Sequence, residues 1–538
     1  MNKIVCISLL LLATITVSRG IAWSSQEDSN EERAKEVIAK TSERQEEIMQ
    51  QQFAKPYPES GWWHEENFAF AAYYFNERKA SAEDGLARVW REIVNADPDG
   101  AIWEGDSPHW HVYLLARLYW MYSSESENPR MSNTIENCLE EIMYAYLANS
   151  KYVTPDMLDY EYVWTYKGSE NHHLQAYVSA WSAVHILKDT PEYDDMKIGD
   201  MGLSQFAKKF DRYFKFYFRQ KATKGLLTEI ASPTYVKYSL NTLYNIYDFT
   251  EDAELKQLAD KFLNVYFADW SIEQFNGLRG GSKHRSYSGR SSYGLSGNVG
   301  WFPFGLGTST KHPGYTSAAT TTWRPNVLVA ELALVQKNRG IYEAVSRRPG
   351  IKVPGATGNK QNPNGGQLLR YTYHTPEFIM GMSMLPALNH EEWVGICGQN
   401  RNNSILFNGI PAKIYTQRYQ PSNGSVYNAE WGVQSKGAMI LQMLPEPFSK
   451  KANGQLIFFS NSLNLVESNG WVFAEADSAY CAVRVVQGAA TFRPPTKEDF
   501  REGKGDVNAG TFLELENPLS PIVFETVAKD KYNSLDRK

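Results

Sequence analysis

Within nine residues, Ser169-Glu170-Asn171-His172-His173-Leu174-Gln175-Ala176-Tyr177, the chain gathers an amide, two imidazoles and a phenol. Such groups donate hydrogen bonds to an oxyanion and move protons near neutral pH. An Asn or His at a helix start also serves as an ordinary cap or packing group, so this stretch alone leaves both roles open. A second stretch runs Leu227-Thr228-Glu229-Ile230-Ala231-Ser232-Pro233-Thr234-Tyr235-Val236-Lys237-Tyr238. Ser-Pro reads as a helix start with Tyr235 in the first turn and Tyr238 one turn further on the same face. Two helices of one array entering with Asn171-His172 and with Tyr235 point these groups into a shared cleft. The third stretch, Arg279 to Gly294, holds Arg279, Lys283, His284, Arg285 and Arg290 with Tyr287 and Tyr293 among glycines and serines. Small residues let a ligand approach the backbone, and in an otherwise acidic chain an anionic substrate would be held here; a loop that is simply solvated is the alternative.

The bulk composition narrows the partners. A formal charge of −6 over 538 residues makes general nucleic-acid binding a poor fit, because phosphate neutralisation needs basic surface. Aromatic content is high, with 15 Trp and 32 Tyr. Flat rings with a polar edge match the apolar faces and hydroxyl rims of sugars, and Trp62, Trp63 and Trp110 are candidate stacking platforms, although core packing also explains such residues. Met1-Asn2-Lys3 followed by the apolar run Ile4 to Val17 reads as a signal peptide covering 1–22, which implies a secreted or periplasmic protein with no membrane anchor after cleavage. Loss of Lys3 and Arg19 with that segment takes the charge from −6 to −8. Cys138, Cys397 and Cys481 then remain, permitting at most one disulfide, so the fold must rest on its core. No P-loop, GxSxG, HExxH or dinucleotide fingerprint occurs in a suitable context.

The elements that must carry these groups follow from periodicity. Gln26 to Gln52 is polar with sparse apolar positions and reads as a solvated leader helix packed loosely on the domain. Gly85 to Val94, Trp110 to Tyr122, Thr134 to Leu147, Ala176 to Leu187, Phe206 to Phe218, Tyr235 to Tyr247, Leu255 to Phe267 and Val327 to Val335 repeat apolar residues every three or four positions. Helices in succession without strands between them predict an (α/α) toroid over 23–350. A Gly/Asn/Pro-rich linker or long loop follows at 351–366, and 367–538 alternates in short β-branched and aromatic runs that predict an antiparallel β-sandwich.

With these features together, the chain resembles polysaccharide lyases that join an (α/α) toroid to an antiparallel β domain, including heparinases II and III and several alginate and glucuronan lyases. The residues carrying the resemblance are Asn171-His172, then Glu229-x-x-Ser232-Pro233-x-Tyr235-x-x-Tyr238, then His284, with Tyr373-His374-Thr375-Pro376-Glu377-Phe378 and Trp471-x-Phe473 in the β half. The resemblance implies an anionic, uronic-acid polysaccharide as substrate. In that reading Asn171 neutralises the uronate carboxylate, His172 assists or acts as base, Tyr235 is base, acid or both, and His284 is a second cleft histidine. Arg285 or Arg290 would anchor the carboxylate, with Lys283, Glu229, Tyr238, Tyr293 and Trp63 lining the cleft. Several such lyases carry an Arg six or seven residues before the Tyr; Glu229 and Thr228 stand there, so the cation must come from elsewhere, with Arg285 the candidate.

β-Elimination takes the proton from C5 of a uronic acid and expels the oxygen at C4. Donors aimed at the carboxylate stabilise the developing charge, and a tyrosine can accept one proton and return another. No cofactor is required, although some heparinase-like lyases hold a structural metal in the β domain, for which His390-Glu391-Glu392 or His374 would be the ligands. Two rivals stand beside this: a glycoside hydrolase using Asp106 and Glu229, and a polysaccharide-binding protein without catalysis. His109-Trp110-His111 is a poor chelate, since residues two apart face different sides of a helix.

Overall fold

The computed structural model describes residues 24–55, 57, 63–100, 103, 108–229, 231–286, 298–307, 309, 315–335, 339–365, 367–397, 401–409, 412–418, 430–448, 455–500 and 506–531. The expected signal peptide, Trp62, Asp106, Arg290 and Tyr293 lie outside them.

Ten longer helices open the described chain: α1 (Ser24–Ala39), α2 (Thr41–Phe53), α3 (His64–Phe75), α4 (Lys79–Val94), α5 (His109–Tyr122), α6 (Asn133–Asn149), α7 (Glu170–Leu187), α8 (Leu203–Thr223), α9 (Val236–Phe249) and α10 (Ala253–Ser271). Their neighbours define the toroid. On the inside, α2 packs on α3, α3 on α5, α5 on α7, α7 on α9, α9 on the short helix Thr316–Thr320, and that helix returns to α2. Outside, α4 packs on α6, and α8 on α10, which meets Val327–Leu334; the last packs on α1. The burial patterns explain this division. In α7, the apolar residues from Leu174 to Leu187 surround the helix and nearly all are buried, as a helix enclosed on every side requires. In α8, Phe206, Phe210, Tyr213, Phe214 and Tyr217 form one stripe against the core, while Lys208, Arg212 and Arg219 are polar-face residues.

The leader reading of 26–52 needs correction. Ile48 and Met49 are buried, and so are Gln45 and Gln52. Gln45 Nε2 donates to the carbonyls of Ala318 (3.0 Å) and Thr321 (2.9 Å), so α2 closes the inner ring through amide hydrogen bonds as well as apolar contact. Its polar composition conceals this, since a buried Gln with both donors satisfied costs little.

The second part is a sandwich of antiparallel sheets. Among the described residues one sheet has eight strands, in the order Ala490–Arg493, Gly510–Leu515, Gln455–Ser460, Lys413–Arg418, Ser404–Phe407, Phe378–Met384, Gln367–His374 and Tyr342–Pro349. The other has six: Glu430–Ser435, Ala438–Met443, Ile522–Ala528, Ala479–Val485, Trp471–Glu475 and Asn464–Ser468. Phe378, Met380, Ile405, Ile457 and Phe459 of the first meet Met439, Leu441, Cys481, Val483 and Phe524 of the second in one core. Cys138, Cys397 and Cys481 are all free thiols, so no disulfide among them supports either part.

The sheet starts earlier than composition suggests, because Tyr342–Pro349 pairs along its length with Gln367–His374. Nor is 351–366 an open linker: Asn359–Lys360 pairs with Thr165–Tyr166 of the helical part. A second staple joins Lys283 to Asn402. Gly381 on the sheet fits closely under the loop that follows α10, where a Cβ would stand 2.6 Å from the Cα of Gly281. The two parts therefore share a buried seam, and residues 279–286 run along it. No described helix is long and apolar enough to cross a membrane.

Candidate functional site

In the inner ring α3, α5, α7 and α9 follow one another, and each begins at or beside residues already singled out: Trp63, His109-Trp110, Asn171-His172 and Tyr235. Their first turns meet. Trp63 lies 5.6 Å from Trp110 and 5.5 Å from Tyr238, Trp110 stands edge-on to His172 at 4.7 Å, and Tyr238 is edge-on to Trp110 at 5.6 Å. Helix N-termini carry partial positive charge and unpaired N–H groups, so converging first turns favour an anionic ligand.

Asn171 and Tyr235 are joined by a residue from the seam. Arg285 donates from Nη1 to Asn171 Oδ1 (3.1 Å) and to Glu229 Oε1 (2.6 Å), and its guanidinium lies over the Tyr235 ring, 3.8 Å from the centroid. Arg285, 56 residues beyond Glu229, is therefore a cation in contact with the Tyr235 stretch. Arg285 has φ 54°, a left-handed conformation that costs a non-glycine residue about 1 kcal/mol, and its hydrogen bonds offset that strain.

Asn171 is fully buried. Ser169 Oγ also donates to its Oδ1 (2.5 Å), fixing the amide so that Nδ2 is the remaining group. That nitrogen has no hydrogen-bond partner among the described residues, a cost of about 1–3 kcal/mol that a ligand oxygen would remove. Glu229 is 2% exposed; burial pushes its carboxyl up, while Arg285 pulls it back down. Burial raises Tyr238 above the ordinary tyrosine range. His172 is half-buried, and its Nδ1 lies 3.2 Å from Nε2 of the fully buried His109.

Behind this cluster lies a second, fully buried network. Lys221 Nζ donates to Glu170 Oε1 (2.8 Å), with both side chains entirely buried, and to the Tyr166 hydroxyl. Tyr166 meets Thr228 Oγ1 at 2.9 Å, and Thr228 donates to Gln361 Oε1 (3.2 Å) in the seam. Glu170 and Glu229 exchange hydrogen bonds with each other's backbone N–H, at 2.9 and 3.1 Å, locking α7 to the approach of α9.

Not every expected residue joins the cluster. His284 is fully buried and its Nε2 meets Ser383 Oγ at 2.8 Å, on the sheet side of the seam. Lys283, 1% exposed, lines a small cavity with Ser232, Arg279 and Trp270; burial first, then the charges of Arg279 and Arg370, lower it to about 7. Trp63 is 3% exposed, so it forms the floor under Trp110 and is no open platform. His173 points away from the cluster, with Nε2 2.7 Å from the Tyr213 hydroxyl and its ring stacked on Tyr177. In the β part, His374 stacks on Tyr342, His390 is 3.0 Å from the Pro447 carbonyl, and no group of three or more metal-ligating side chains occurs among the described residues.

His109, Glu170 and Lys221 are the residues that sequence reasoning missed. His109 and His111 do diverge as their spacing requires: His111 pairs with Glu66, His109 with His172. Testing them only as a chelate hides the second histidine's role, whereas the position of His109 at a helix start, like Asn171 and Tyr235, is a signal that could have found it.

No family model matches the chain, and no curated protein matches it. Among solved structures, the crystal structure of a heparan sulfate lyase HepC mutant from Pedobacter heparinus is similar over 88% of this chain and 78% of that one, at 9% identity and a TM-score of 0.33, a likeness too loose to carry chemistry from one protein to the other.

Proposed function

We propose that the chain is a polysaccharide lyase that cleaves a uronic-acid polymer by β-elimination at the Asn171–Arg285–Tyr235 cluster. The observation that carries this is the single guanidinium that touches both Asn171 Oδ1 and the face of Tyr235. That contact supports the reading because it brings an amide beside a phenol, and elimination needs a carboxylate-binding donor next to a proton-transfer group.

In this reading the uronate carboxylate takes hydrogen bonds from Asn171 Nδ2, whose partner is otherwise missing, and from His172. The C5 proton passes to the ionised Tyr235 oxygen, the electron pair forms the C4–C5 double bond, and the C4–O bond breaks. The phenol then returns the proton to the departing oxygen. Half-buried Trp110, backed by the buried Trp63 and Tyr238, supports the sugar face, and Arg290 and Tyr293 remain substrate-side candidates from the sequence. The carboxylate pair of a glycoside hydrolase fits less well, because the Glu229 carboxylate is tied to Arg285.

Incubation with alginate, glucuronan, heparan, chondroitin and hyaluronan chains tests the proposal. Ultraviolet absorbance from 4,5-unsaturated ends is expected with at least one. New reducing ends without that absorbance would indicate hydrolysis, and binding with unchanged polymer length would indicate a non-catalytic role.

A further inference from the structure

Two imidazoles meet edge to face where α5 and α7 begin. His109 Nε2 and His172 Nδ1 are 3.2 Å apart, with ring centroids 5.2 Å apart and planes at 75°. One hydrogen lies between them, and its owner decides what His172 offers a ligand. If His172 Nδ1 carries it, His172 Nε2 is a bare base. If His109 Nε2 carries it, His172 holds its own proton on Nε2 and offers a donor.

The surroundings of His109 discriminate. It is fully buried, and its Nδ1 has no partner among the described residues. A His109 accepting at Nε2 would bury an unsatisfied Nδ1–H, the rarer and costlier kind of orphan. A His109 donating from Nε2 leaves only a bare ring nitrogen there. Charging His109 would again protonate Nδ1, and burial, followed by the neighbouring His172, depresses its pKa well below the histidine range. The Trp110 indole, edge-on to His172 at 4.7 Å, hinders ring rotation.

We propose that His109 is a positioning residue that donates from Nε2 to His172 Nδ1, fixing the tautomer in which His172 presents an Nε2–H donor. This rests on the lyase reading for its consequence: His172 helps hold the substrate carboxylate, and the proton abstraction belongs to Tyr235.

Nitrogen-15 histidine labelling decides the tautomer without substrate, using two-bond proton–nitrogen spectra, with the His172 signals identified by their loss in His172→Asn. A bare Nδ1 and a protonated Nε2 are expected for His172; the reverse overturns the proposal. Two nearly isosteric substitutions then separate hydrogen-bond direction from packing. His109→Gln keeps a donor and should retain the tautomer and activity within about tenfold, whereas His109→Glu supplies an acceptor, should invert the tautomer, and should lower kcat about 10²-fold or more, the usual loss for one charge-stabilising donor. Equal loss in both variants, with His172 unchanged in the spectrum, would reduce His109 to packing and sink the idea. Wild-type protein inactive on every polymer would remove the lyase reading, while the spectrum would still decide the tautomer.

Discussion

Glu170 and Asn171 leave the first turn of α7 in different directions. Glu170 enters the seam, where Lys221, Tyr166 and the Glu229 backbone N–H engage it. Asn171 enters the cluster with Arg285, and its Nδ2 has no partner among the described residues. The same division separates Thr228 from Glu229 and His173 from His172. The seam joins buried polar groups into one connected network, which holds helices and sheet in register. The cluster leaves a buried donor without a partner and holds a strained Arg, features expected where a ligand completes the structure.

Substitutions can break this contrast. Removing the Tyr235 hydroxyl with Tyr235→Phe should cut kcat by about 10³-fold or more if one phenol handles both protons, with binding and melting temperature nearly unchanged; activity within tenfold of wild type would transfer the proton role to Tyr238 or Tyr293. The seam should respond in the opposite way. Lys221→Met removes the cation paired with the buried Glu170 and should lower stability by about 3–5 kcal/mol in denaturant unfolding, while protein that remains folded binds polymer normally. A loss of binding with intact stability would mean that seam and cluster are one functional unit. Arg285→Gln should reduce kcat/KM about 10²–10³-fold with a smaller change in stability, measured from initial rates of unsaturated product.

A pH dependence follows from the buried histidines. Burial, then the charge of Lys221, depresses His173 from 6.5 to about 3. The unfolded chain therefore binds a proton that the folded chain refuses, so stability is full above about 6.5 and falls as pH drops from there towards 3, by about 1.4 kcal/mol per unit for this group. His109 and His284, both depressed well below 6.5, act in the same direction. His173→Gln should flatten the melting-temperature profile between pH 6 and 4, and an unchanged slope would show that His173 is not held neutral.

The helices and most strands were legible because apolar periodicity reports burial directly. Where polar groups do the packing, as at Gln45 of α2, periodicity is silent. Asn171, His172, Tyr235, Tyr238, Glu229 and Arg285 were legible as candidates, and the fold brings them together, because each lies at a helix start or on the loop that crosses those starts. Lys283 and His284 share a basic loop with Arg285, but Arg285 leaves that run through a left-handed φ of 54°, a turn that composition does not report. Glu170 and Lys221 were invisible for another reason: a lone charge on an amphipathic helix reads as solvent-facing until its partner, 51 residues away, is located.

The placement of Arg285 on the seam gives the sheet a hold on the cleft. Gly281 and Gly381 bring loop and strand into direct contact, four residues before the guanidinium that touches Asn171 and Tyr235. A methyl group added at position 381 would press on the Gly281 backbone without approaching the cluster. Its effect would be transmitted as a displaced charge, which makes this half of the molecule a tuning screw for the other.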